Sequence, residues 1–238
     1  MKALVISGGG SKGAYAGGVA EYLINHSGKQ YELFVGSSTG SLLLPHLALG
    51  KIDKIKEIYT SVTQRDIFNI NPFNIKKSKN GFETSINHFN SLKTFIKGCP
   101  TFGESHNLRK LIRKSITPEE FSLLKINNKK VIVTVSNLTL NTVEYFNSND
   151  CTYDDFCDWT WASSNYTPFM SLITKNNHQY ADGGFGSFIP IMHAIENGAC
   201  EIDVIILESE NNETTQKVIT NPFTLMFRTF QFMINTNN

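Results

Sequence analysis

Two periods of apolar residue alternate along this chain. Lys2–Ile6 is a short, β-branched apolar run that suits a buried strand. A glycine loop at residues 8–13 follows, and an Ala- and Gly-rich stretch at 14–25 reads as helix. A second short strand is expected at 32–35, then a Gly-Ser turn at 36–40, then an apolar helix through Leu49 that Gly50 ends. Helical spacing resumes at 52–63, where Ile52, Ile55, Ile58, Tyr59 and Val62 recur in phase. Residues from about 64 to 105 are rich in Asn, Lys and Phe with weak periodicity. They read as an irregular insert carrying one or two helices, in the position of a lid. His106–Ser115 is a predicted helix, and Thr117-Pro118-Glu119-Glu120 is a helix start with Thr as N-cap. Residues 130–136 and 142–146 form two strands around an Asn-containing turn, 154–164 a helix, and 178–181 a strand end running into Asp182-Gly183-Gly184. A helix at 189–197 closes at Gly198, and 203–207 reads as a central strand. Strands alternating with helices predict an α/β fold, with a mostly parallel central sheet flanked by helices.

Composition narrows the function classes. A chain of 238 residues, 40% hydrophobic and 18% charged, has the make-up of one globular domain spanning 1–238. Its charge is 22 − 21 = +1, which argues against a nucleic-acid partner. The basic clusters Lys76-Lys77-Ser78-Lys79 and Arg109-Lys110 with Arg113-Lys114 are local and read as solvated faces. Cys99, Cys151, Cys157 and Cys200 form no CxxC pair and no zinc spacing, so they read as reduced, mostly buried thiols. Residues 1–7 run straight into the first strand, so no signal peptide is expected and the location reads as cytoplasmic. No apolar run approaches the ~18 residues of a membrane span. Peripheral contact with a membrane surface stays open.

Three glycine turns carry the chemistry. Gly36-Ser37-Ser38-Thr39-Gly40 fits G-x-S-x-G between a strand and an apolar helix, a tight turn that exposes the Ser38 hydroxyl near a helix N-terminus. Gly8-Gly9-Gly10-Ser11-Lys12-Gly13 leaves a row of unobstructed amides at another helix start, an anion cradle. That cradle suits either a dinucleotide pyrophosphate or an oxyanion. Glu32 falls about 20 residues on, as in a dinucleotide site, yet it sits at the amino end of its strand, where it cannot reach a ribose. Asp182-Gly183-Gly184 places a carboxylate at a strand end with a clear approach to another backbone. With Ser38 nearby it suggests an Asp acting directly as base. The order Ser38, Asp182, His193 mimics a hydrolase triad, but only one strand precedes the strand carrying Ser38, and His193 reads as a packed helix residue. His26, His46, His88, His106 and His178 read as surface or core-edge residues.

These three elements, in this order, resemble the patatin-like phospholipases. The family's G-G-G-x-R/K-G motif is matched at 8–13, its G-x-S-x-G elbow at 36–40 and its D-G-A/G motif at 182–184. The segment 162–169 resembles its A-S-x-A-x-P stretch, with Asn165-Tyr166 departing from the small residues. Pro190 and the return to a strand at 198–207 also fit. The resemblance implies a three-layer fold, Ser38 as nucleophile and Asp182 as base. It implies the Gly8, Gly9 and Gly10 amides as an oxyanion hole with Lys12 and Gly13 beside it, and no metal or cofactor. Gly36, Gly40, Gly183 and Gly184 shape the turns. Lys12 stands where arginine is common, so a point charge replaces a planar fork. The implied reaction is hydrolysis of a lipid or phospholipid acyl ester through an acyl-serine. The alternative is a non-catalytic α/β module that binds a nucleotide or lipid on the glycine loop. Many bacterial relatives continue past the segment like 221–234, so this is either a compact member or a truncated one. Its last helix gathers Phe223, Met226, Phe227, Phe230 and Met233 on one face, with Leu225 and Phe232 off it. That face packs on the sheet or meets a membrane or partner.

Overall fold

The computed structural model describes residues 1–78, 81–208, 218, 219 and 221–236. In chain order it forms β1 (Lys2–Ile6), a 3-10 turn (Gly10–Lys12), α1 (Gly13–Glu21) continued by a π turn (Tyr22–His26), β2 (Leu33–Ser37), α2 (Thr39–Ala48), α3 (Ile52–Ser61) and α4 (Gln64–Ile67). Next come β3 (Phe73–Ser78), β4 (Gly81–Ile86), α5 (His88–Ile96), α6 (His106–Ser115), α7 (Pro118–Ile126), β5 (Lys130–Asn137), β6 (Thr142–Asn147) and α8 (Tyr153–Ser163). The chain ends with β7 (Ile173–Lys175), β8 (His178–Asp182), a 3-10 turn (Gly183–Phe185), α9 (Ile191–Glu196), β9 (Glu201–Ile205) and α10 (Pro222–Thr236).

The two-residue period of the strands sorts their side chains onto two faces. Leu4, Ile6, Phe34, Val131, Val133 and Val135 face the larger core beneath α1, α2 and α6 to α8. Ala3, Val5, Leu33, Val35 and Ile132 face a thinner layer closed by α9 through Ala194. The result is a helix–sheet–helix sandwich with nearly all the bulk on one side.

Strands β9, β1, β2 and β5 run parallel and adjacent, and β6 lies antiparallel on the far edge of β5. The other edge of β5 is shared between two strands. Its first half, through Thr134, pairs with β2, ending at Ser37, and its second half, from Val135, pairs with antiparallel β8, ending at Asp182. β2 and β8 therefore meet head-on, at successive register positions of β5. Neither can continue, and both leave the sheet there. This collision positions the site.

Several expectations are corrected. The last strand runs over Glu201–Ile205 and, among the described residues, is an edge strand rather than a central one, paired with β1 alone. The insert at 64–105, expected to carry one or two helices, contains two, α4 and α5, but also a β3–β4 hairpin that its weak periodicity concealed. β7 was also not foreseen. Cys157 is buried, but Cys99 and Cys151 are half-buried and Cys200 is exposed; no two are joined. Arg109 and Arg113 are not a free basic face, because both pair with Asp158, on α8. On α10, Met233 is exposed, unlike Phe223, Met226, Phe227 and Phe230.

Candidate active site

Ser38 sits between β2 and α2 at φ 52, ψ −120, a strained conformation for a residue with a β-carbon. Its neighbours hold it there. The backbone N–H of Ser38 donates to Ser163 Oγ at 2.9 Å, and Ser164 Oγ donates to the Ser38 carbonyl at 3.2 Å. Ser163 Oγ also meets Ser41 Oγ at 2.9 Å, so the end of α8 fixes the elbow on both sides. The turn needs glycine at its far end, since a β-carbon on Gly40 would run into the carbonyl of Ile6. The same holds across the junction, where a β-carbon on Gly183 would strike the carbonyl of Thr134.

Ser38 Oγ donates to Asp182 Oδ2 at 2.6 Å. The second oxygen of Asp182 accepts the Gly184 N–H at 2.8 Å. Ser136 Oγ donates to the Asp182 carbonyl at 2.8 Å, and the Asp182 amide donates to Asn165 O. Asp182 is 3% exposed. Burial pushes its carboxyl up to about 7, although the Ser38 and Gly184 donors pull the other way.

The glycine loop lies one strand away, on the carboxyl end of β1. Thr39 Oγ1 donates to the Gly10 carbonyl at 2.8 Å, tying loop to elbow. Gly10 stands at φ 56, a left-handed conformation that favours glycine. The Gly8 amide donates to the Phe188 carbonyl at 3.1 Å, so it is committed inside the fold and unavailable to an oxyanion. This departs from the expected trio of donors. The Gly9 and Gly10 amides donate to no backbone carbonyl among the described residues. The Lys12 ammonium is half exposed and pairs with Glu208 at 3.1 Å.

A cavity of about 920 Å³ opens beside Ser38 and Asp182. Its walls are mainly aliphatic and aromatic, from Leu42 and Leu43 of α2, Ile55 of α3, Leu108 and Ile112 of α6, and Phe169. Phe73 and Ile75 of the hairpin and Phe227 of α10 close it over. Phe227 lies 4.7 Å from Phe169 and 5.6 Å from Tyr166, ring to ring.

No histidine hydrogen-bonds Ser38 or Asp182 among the described residues, although His46 lines the cavity. His193 stacks flat on Tyr145 at 3.7 Å and hydrogen-bonds Asn197, in the layer of α9 across the sheet. His46 is buried rather than at the surface, and burial together with Lys54 lowers it to about 4. Glu32 accepts the Lys2 amide at 2.7 Å, at the amino ends of β1 and β2 and away from the glycine loop. Among the described residues no group of three or more His, Cys, Asp or Glu could hold a metal ion. Ser163, Ser164 and Asn165 were not foreseen as supports of the site. Their signal was the Ala162-Ser163-Ser164 stretch, which had been matched as a motif without a role.

The sequence matches the family model described as patatin-like phospholipase over residues 4–195. No curated protein matches it. Solved structures are similar as well, two of them as follows. VipD from Legionella pneumophila is 17% identical with TM-score 0.49, covering 77% of this chain and 46% of its own. The type III effector protein ExoU is 13% identical with TM-score 0.43, covering 98% of this chain and 52% of its own. The chain thus spans about half the length of either structure.

Proposed function

The chain belongs to the patatin-like phospholipase family, and from that premise we propose that it hydrolyses lipid acyl esters with Ser38 as nucleophile and Asp182 as its only base. The observation that carries the reading is the 2.6 Å bond from Ser38 Oγ to a buried carboxylate, at the side of an apolar cavity. Ser38 Oγ attacks the ester carbonyl while its proton passes to Asp182 Oδ2. The oxygen that becomes negative is received by the Gly9 and Gly10 amides, aided by the N-terminus of α2. Collapse of the tetrahedral species breaks the bond to the leaving alcohol, which takes the proton back from Asp182. Water then attacks the acyl-serine, Asp182 again takes the proton, and the carboxylic acid leaves as Ser38 is restored. The strained elbow keeps Oγ at the cavity, and the apolar walls accommodate the acyl chain. A carboxylate poised near neutrality suits a general base at physiological pH. Hairpin, α5 and α10 belong to the same domain as its cap.

Ser38→Ala should abolish ester turnover and labelling by a fluorophosphonate while the circular dichroism spectrum stays unchanged. A folded alanine variant that still cleaves p-nitrophenyl esters would overturn the assignment. The nucleotide form of the binding alternative gains no ribose ligand from Glu32, which accepts the Lys2 amide at the opposite end of the sheet.

A further inference from the structure

The helix α5 is packed inside out. It buries Ser91 and Thr94, and the Ser91 hydroxyl has no partner among the described residues. Its large apolar residues Phe89, Leu92 and Ile96, at i, i+3 and i+7, form a stripe on the outside, with Phe89 77% and Ile96 78% exposed. Lys93 and Lys97 border that stripe, exposed and one residue on. A helix that only had to pack on its own domain would be turned the other way.

The neighbouring hairpin carries apolar surface from the cavity outward. Phe73, Ile75 and Thr84 on one face of the hairpin line the cavity, and Lys77 and Phe82, paired in register, extend that same face outward. Phe82 is 75% exposed. The hairpin and α5 are tied at their bases, where Asn87 N–H donates to the Pro72 carbonyl and Asn90 Nδ2 to the Asn71 carbonyl. α10 joins them through Phe223 on His88 at 5.7 Å and Phe227 on Phe73 at 6.4 Å, and it turns Phe232 outward, 69% exposed.

Charge separates this region from the rest. Residues 71–98 hold Lys76, Lys77, Lys79, Lys93 and Lys97 against Glu83 alone, 5 − 1 = +4. The whole chain is +1, so the remainder carries 1 − 4 = −3. Exposed aromatic and aliphatic side chains, ringed by lysines and joined to an apolar cavity through the hairpin, match an interface of acyl chains beneath anionic headgroups.

We infer that the hairpin, α5 and the outer side of α10 form a docking face for an anionic phospholipid bilayer, which brings the cavity against the membrane. The inference gives the proposed ester-cleaving site its supply of substrate, and so rests on that reading for its purpose, while docking itself needs no turnover.

The test is flotation with vesicles of phosphatidylcholine alone or mixed with phosphatidylglycerol, using the Ser38→Ala protein so that lipid is not consumed. It should float with the mixed vesicles, much less with the neutral ones, and lose binding as salt rises. Lys93→Glu with Lys97→Glu should lower partition more than tenfold, given about fivefold per lysine removed from an anionic surface. Phe89→Ser with Ile96→Ser should do likewise. Both pairs, made in the Ser38 background, should retain wild-type hydrolysis of a soluble p-nitrophenyl ester and an unchanged circular dichroism spectrum. If Ser38→Ala leaves turnover intact yet still floats, the catalytic assignment fails and the docking face stands. Equal recovery with both vesicle types, or flotation unchanged in the variants, would overturn the inference. So would a wild-type dimer in light scattering that the Phe89 and Ile96 changes dissociate while no vesicle is bound, because the face would then belong to a second copy.

Discussion

Elbow and cap border the same cavity and follow opposite rules. At the elbow, glycines bring backbones into contact, and fully buried Leu44 packs on Gly36. Ser38 and Asp182 are joined to Ser163, Ser164, Ser136 and Gly184, although the buried Ser37 and Thr134 hydroxyls beside them have no partner among the described residues. At the cap, small polar residues are buried and large apolar ones are exposed. The elbow is fixed by interactions within the fold, which can hold a strained nucleophile to fractions of an ångström. The outer side chains of α5 are largely exposed, and the proposed docking accounts for their composition.

The largest break in this comparison should come from Asp182. Asp182→Asn keeps the shape of the elbow but removes the proton acceptor, and turnover should fall by about 10²–10⁴, the usual contribution of a general base. His193→Ala should leave turnover near wild type, because that ring is stacked on Tyr145 across the sheet. Assaying both on one soluble ester, with circular dichroism as a control, decides the point. An inactive but folded His193→Ala protein would move the base to the histidine. The same carboxylate sets the pH profile. Asp182 must be ionised to accept a proton, and its burial places that ionisation at about 7. kcat/KM should therefore climb as pH rises through about 7 and level off above it.

The stability effect of Asp182 has the opposite sign. Its folded carboxyl titrates near 7 and its unfolded one near 4. Below about 4 both states carry the proton, and as pH rises towards 7 the folded state holds a proton the unfolded state has lost. Stability contributed by the neutral buried carboxyl is thus lost as pH rises through 7, by about 4 kcal/mol at most. Asp182→Asn is never ionised. Its melting temperature relative to wild type should rise between pH 5 and pH 8, which thermal melts at the two values measure. A difference that shrinks with pH would mean that the carboxylate is stabilised where it lies.

The contrast also explains what the sequence disclosed. Gly36, Gly40 and Gly183 were legible because close backbone approach excludes a side chain there, and the loop at 8–13 because packed side chains crowd Gly8, Gly9 and Gly13 and Gly10 is left-handed, so the need is written as a motif. Strands β1, β2 and β5 were legible because they are buried on both faces as apolar runs. The head-on meeting of β2 and β8 was not, since no local pattern encodes which half of β5 each strand takes. Nor was the commitment of the Gly8 amide, which depends on where Phe188 comes to lie. The hairpin stayed hidden because Lys76 and Lys77, adjacent in β3, put a charge on each of its faces and interrupt the alternation of apolar residues. α5 is the clearest case. It lies in a stretch read as weakly periodic, where no helix was placed, and even a clear pattern of period 3.6 does not say whether the apolar stripe points in or out.

The smallest expected effect sharpens the comparison most directly. Leu44 and Ile96 are similar aliphatic residues, both within helices and neither among the residues lining the cavity. Leu44 is fully buried, so Leu44→Ala removes transfer energy and leaves a void beneath the elbow, at a cost of about 2–5 kcal/mol. Ile96 is 78% exposed and gives up little on truncation. Ile96→Ala should change stability by no more than about 0.5 kcal/mol in denaturant unfolding of the protein in solution, and alanine's better helix propensity pulls towards a slight gain. If Ile96→Ala instead costs more than about 1.5 kcal/mol, the side chain is packed in solution and the outward stripe of α5 is not free to meet a surface. A near-neutral change accompanied by weaker flotation would separate folding from docking in one residue, because an isoleucine retained without benefit to the fold then shows its effect only at the membrane.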